Sequence, residues 1–197
     1  MHISEGVLSA PVLLAGAVLS LVGLTLGLKK VKNEDIPKVA VLSSAFFVAS
    51  LIHVPIGPTS AHLILNGLIG MLLGWSAFPA IFVGLLLQAL LFQFGGLTTL
   101  GVNTFTMAMP AVLSFYTFRK MLKKGKNVAF IGGALGGASA VLIGTLFVSL
   151  ALIGTEKSFF GVAVTLFTMH LPIALIEGII TGFVILYLKK VKPEALG

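Results

Sequence analysis

The densest set of metal donors in the chain is its first two residues, Met1 and His2. A free terminal amine, the amide nitrogen between them and a His2 ring nitrogen can close fused chelate rings around one divalent ion. Three nitrogens then come from two residues. The amine ordinarily titrates at about 7.7–8.0 and the imidazole at about 6.5, and both must lose protons to bind, as must the amide. Imidazole suits nickel, copper, zinc and iron, and a square-planar all-nitrogen set favours Ni(II) or Cu(II). The pattern is common, so its meaning depends on where the terminus lies.

Further candidates recur along the chain. His53 closes one apolar stretch and His62 opens the next, with Pro55 and Gly57-Pro58 between. The spacing puts His62 in the first turn of a helix capped by Thr59 or Ser60. Asn66 then lies one turn deeper on the same face, a candidate partner for the second ring nitrogen. On residue logic alone both histidines stay open as ligands or as interfacial histidines, though His53 has no evident polar partner. Gly95-Gly96-Leu97-Thr98-Thr99-Leu100-Gly101-Val102-Asn103-Thr104 reads as a polar loop with permissive glycines, either a lid over the terminus or a plain connection. It lacks Lys, so it is no phosphate loop. Thr98, Asn103 and Glu5 are candidates for orienting the ligands. His170, Glu177 and Thr181 form a polar stripe beside Pro172, a relay or latch on one reading and a satisfied buried cluster on the other.

The elements that carry these residues belong in a membrane. The 197 residues are 57% hydrophobic and 10% charged, against about 25% charged in a soluble domain. Apolar stretches long enough to cross a bilayer recur, and mean hydropathy is +1.12. With no cysteine, disulfides, zinc–thiolate sites and iron–sulfur clusters are excluded. No cleavable signal peptide is expected, because no Lys or Arg precedes the first apolar run. The reading is one all-α transmembrane domain over 1–197, with helices at about 7–28, 36–54, 60–74, 78–93, 102–121, 128–153 and 159–188.

Charge sets the orientation. With the amino terminus outside, 12 of the 13 basic residues fall on the cytoplasmic side, Lys157 being the exception. The basic clusters therefore report topology, and nucleic acid is not an expected partner; membrane lipid is. His2, His53, His62 and His170 all fall in the outer half. Gly16, Ser20, Gly23 and Gly27 share one face of the first helix, and Gly133, Gly137, Ala140 and Gly144 one face of the sixth. Such faces serve packing within the bundle or docking to another subunit.

Met1-His2-Ile3 with Glu5-Gly6, the run from Gly95 to Phe105, and Leu171-Pro172-Ile173-Ala174-Leu175-Ile176-Glu177-Gly178 together resemble the CbiM/NikM family. These are substrate-binding S components of cobalt and nickel energy-coupling-factor transporters, and the resemblance runs over nearly the whole chain. It implies a six-helix S-component core plus an amino-terminal helix. It also implies capture of extracytoplasmic Ni2+ or Co2+ by the Met1 amine, the His2 amide, the His2 ring and one further histidine, which maps to His62. No organic cofactor is implied. The implied partners are a transmembrane coupling (T) subunit, two cytoplasmic ATPases and a small accessory membrane subunit, in a prokaryotic cell membrane. The chain lacks a Walker motif, so ATP hydrolysis falls to partners. Ser4 departs from the family's Met or Pro, and Val7-Leu8-Ser9-Ala10-Pro11 from its Phe-Leu-Pro. The alternatives are a self-contained proton- or sodium-coupled metal transporter and an intramembrane metalloenzyme using His170 and Glu177. Neither inverted repeats nor several intramembrane carboxylates are evident.

Overall fold

The computed structural model describes residues 2–56 and 59–196, with backbone alone for 53–56 and 59–61. Met1 and the Gly57-Pro58 turn lie outside the described residues. The helices are α1 (Ala10–Leu28), α2 (Ile36–Ala49), α3 (Asn66–Leu73), α4 (Ala77–Phe92), α5 (Leu100–Leu122), α6 (Lys126–Thr155) and α7 (Phe160–Val191). Among the described residues, four stretches are long and apolar enough to cross a membrane: Ala10–Leu28, Asn66–Phe92, Lys126–Thr155 and Lys157–Val191. In α1 only 22% of its most apolar window is buried, as suits a surface facing lipid.

The expected second and third helices are corrected. Helix α2 stops at Ala49, and the segment read as 60–74 starts as helix only at Asn66. Between them lies an antiparallel hairpin, β1 (His53–Ile56) and β2 (Thr59–His62), in which His53 pairs with His62. Pro55 disfavours helical backbone at Val54 and fits only an edge strand, so α2 cannot run on to 54. His62 therefore ends a strand instead of opening a helix.

α5 packs against α1, α3, α4 and α6, while α6 and α7 share the most extensive helix pair. The small-residue faces are consumed by this packing. A Cβ on Gly16 would lie 2.8 Å from the Val102 Cα, and one on Gly137 would lie 2.6 Å from Thr181 Oγ1. These faces are therefore internal, which removes the docking reading for Gly16 and Gly137.

α3 is short and tied at both ends. Leu65, with φ of 55°, turns the chain into it, and Gly74, also left-handed at 57°, stops it. At its start the Glu177 carboxyl accepts the Ile64 and Leu65 backbone N–H groups. At its end Lys38 Nζ donates to the Leu72 carbonyl at 2.8 Å and to the Ala195 carbonyl at 3.1 Å. A carboxyl group at a helix start and an ammonium at its end both complement the helix dipole.

Candidate metal centre

The segment from His2 to Ser9 has no regular secondary structure, turns at Glu5-Gly6 and is fastened at several points. Ile3 N–H donates to Asn103 Oδ1 and the Ile3 carbonyl accepts from Asn103 Nδ2, both at 3.0 Å. Glu5 N–H donates to the Gly95 carbonyl at 3.2 Å, and Thr98 N–H to Glu5 Oε1 at 3.1 Å. Ser9 N–H donates to Thr155 Oγ1. Ile3 and Leu8 are buried with Val102, Val148 and Leu152. Asn103 and Glu5, expected to orient ligands, thus fasten the chain just after His2, Asn103 at Ile3 and Glu5 to the Gly95–Thr98 loop, and Thr98 takes part through its backbone.

The Gly95-Gly96 loop is the receptacle for this segment. Gly95 has φ of +79° and Gly96 of +141°, angles that L side chains rarely adopt. A Cβ at Gly95 would sit 2.8 Å from Asn103 Nδ2, and one at Gly96 would strike the Glu5 side chain. The loop packs against residues 2–5.

His2 meets His62 inside this enclosure. Their ring centroids are 5.0 Å apart with planes tilted by 32°, and the Phe94 ring lies 6.3 Å from that of His2. His2 Nε2 is 2.6 Å from Gln88 Oε1. His62 Nδ1 bonds the Leu63 carbonyl at 3.0 Å. Among the described residues no three His, Cys, Asp or Glu side chains converge.

Burial, with the nearby terminal charge and His62 adding to it, pushes the His2 ring down to about 3, against the raising effect of Gln88. The docked ring is therefore neutral over the physiological range. The sign follows from linkage. A released His2 takes up a proton near 6.5 and the docked one does not, so docking is unaffected above that value. Below it, docking weakens by about 1.4 kcal/mol per pH unit until pH 3. Protection factors for hydrogen exchange of residues 3–9 in the metal-free protein, referred to the intrinsic rate at each pH, should fall between pH 6.5 and 4; unchanged protection factors would refute the burial argument.

Other expected residues sit elsewhere. Asn66 is fully buried and donates to the Met107 carbonyl at 3.1 Å, and its amide oxygen accepts from Gly67 N–H. It does not serve His62, because it stands at the head of α3 and faces α5. His170 Nδ1 bonds the Leu166 carbonyl at 2.8 Å, one turn back on its own helix. Glu177 binds the α3 backbone, so the two do not pair as a relay; Glu177 is a tie between α7 and the residues just after His62. Gln88 and Phe94 were not anticipated. The available signal was Gln88 itself, a lone amide in the apolar run Ile81–Phe92, which needs a reason to be buried.

The CbiM family model, described as the cobalt uptake substrate-specific transmembrane region, matches residues 2–195. The chain belongs to the CbiM family. A Haemophilus influenzae protein named "Putative metal transport protein" is 42% identical over 208 residues, covering 100% of this chain and 97% of the relative. The "Putative fused nickel transport protein NikMN" of Archaeoglobus fulgidus is 31% identical, covering 100% of this chain and 68% of its own. A crystal structure of a transition metal transporter superposes with a TM-score of 0.77 at 32% identity, over 97% of this chain and 93% of that one. Membership of the CbiM family makes the chain a transmembrane component of metal uptake, and transport rather than catalysis is its class.

Proposed function

We propose that the chain is the substrate-capturing S component of an energy-coupling-factor transporter for Ni2+ or Co2+. One observation carries the reading: His2 and His62 come within 5.0 Å of each other in the enclosure under the Gly95-Gly96 loop. Two imidazoles do not fill a four-coordinate site, and among the described residues no third His, Cys, Asp or Glu joins them. The Met1 amine and the His2 amide nitrogen, adjoining the His2 ring in the chain, supply the other two donors. The amide proton leaves as the ion binds, so capture releases protons. Four nitrogens favour nickel first and cobalt second. Relatives are named for nickel and for cobalt transport alike.

The charge map supports an extracytoplasmic amino terminus and a cytoplasmic carboxy terminus, with α1 to α7 forming a membrane bundle over a single domain. Energy comes from partners: a T subunit, two cytoplasmic ATPases and a small accessory membrane subunit, in a prokaryotic cell membrane. His170 and Glu177 are each engaged with backbone, which leaves the metalloenzyme and ion-coupled carrier readings without a supporting feature.

The test is metal analysis of purified protein after equilibration with nickel. One bound ion per chain is expected, lost in His2→Ala and in His62→Ala while thermal unfolding stays near wild type. A His2→Ala protein that retains stoichiometric nickel would sink the assignment.

A further inference from the structure

We propose that Gln88 is a positioning residue that fixes the tautomer of His2, so that Nδ1 faces the metal. The inference rests on the capture site described above. Gln88 sits on α4 with no exposed surface, and its Oε1 lies 2.6 Å from His2 Nε2. An amide oxygen only accepts, so Nε2 carries the ring proton and the lone pair falls on Nδ1. Nδ1 is also the ring nitrogen that closes a six-membered chelate with the residue's own amide nitrogen. A ring protonated on Nδ1 would have to exchange tautomers before binding.

The cost of this arrangement supports the assignment. Gln88 Nε2 is buried and has no partner among the described residues. An orphaned donor costs about 1–3 kcal/mol, and a leucine at the same place on this apolar helix would avoid it. The oxygen is what the position retains. It acts on the ring from the side away from the chelate, as partners of metal-bound imidazoles do. α4 holds the amide firmly, because the Gln88 carbonyl also accepts the Phe94 N–H at the helix end. Phe94 in turn lies against the His2 ring. One residue thus sets the ring's proton through its side chain and shapes the wall beside it through its backbone. Being neutral, the amide does this without adding a charge that would bind a competing proton in the empty site.

The test begins with the unsubstituted, metal-free protein. Nitrogen-15 shifts of the His2 ring should report the Nε2–H tautomer at pH 7, and the Nδ1–H tautomer would overturn the proposal. In Gln88→Leu the ring should become a mixture, and nickel affinity should fall roughly 10- to 100-fold, as loss of such a partner typically does. Gln88→Glu, which keeps an acceptor oxygen, should restore the Nε2–H tautomer and most of the affinity. Wild-type affinity in Gln88→Leu would also overturn it. Failure of the underlying capture reading looks different: His2→Ala would keep its nickel, whatever tautomer His2 adopts in the wild type.

Discussion

A protein carrying two extra residues ahead of Met1 should fold normally and bind nickel about a hundredfold more weakly. The extension turns the Met1 amine into an amide, which binds an ion only after losing its proton, as the His2 amide already must. It also moves the two-residue chelate away from the chain end. Four-ligand structural zinc sites release about 10–16 kcal/mol, so one donor is worth roughly 3 kcal/mol, or about a hundredfold in affinity. The fold should survive, since the fastening bonds begin at Ile3 and Glu5 and are untouched. Isothermal titration with nickel and a thermal melt of the same sample read the two halves of the expectation. An extended protein with unchanged stoichiometry and affinity would remove the amine from the site.

Glu177→Ala should damage stability and nickel binding together, although residue 177 touches no ligand. The Glu177 carboxyl is fully buried and takes both the Ile64 and Leu65 N–H groups. Truncation leaves two donors without partners at the head of α3, each costing about 1–3 kcal/mol. In a chain of this size that lowers the melting temperature by roughly 5–10 °C. The freed donors belong to the residues directly after His62, so the imidazole loses its anchorage and affinity falls as well. Glu177→Gln keeps one acceptor oxygen and should lose less of both. If Glu177→Ala melts and binds like the wild type, the capping role is wrong.

The contact of residues 3–5 with the Gly95-Gly96 loop was legible in part, since residue type singled out Glu5, Thr98, Asn103 and the two glycines. Gly95 and Gly96 stand where a side chain would strike Asn103 or Glu5, and Asn103 itself is polar in an apolar helix. Most helix limits follow the apolar runs to within a few residues. The hairpin was not legible. Pro55 and Gly57-Pro58 announce a break, but the same signals serve a turn between helices, and nothing local declares that 53–62 pair as strands. That error carried Asn66 with it, since its supposed nearness to His62 assumed helical spacing. The partners of Glu177 and Gln88 lie 113 and 86 residues away in sequence, beyond any periodic pattern. A buried amide or carboxyl states that a partner exists; only tertiary structure says which.

The two clamps on α3 have a mechanical consequence. Eight residues of helix make a rod about 12 Å long, too short to bend appreciably. Glu177 grips one end and Lys38 the other, so the rod moves whole or not at all. His62 hangs from the Glu177 end, while His2 is fastened to α5 and the Gly95-Gly96 loop. α5 joins the two supports, since Asn66 at the head of α3 donates to the Met107 carbonyl on the helix whose Asn103 grips Ile3. Any slip of α3 along α5 would shift one imidazole past the other, and metal–nitrogen bonds tolerate very little of it.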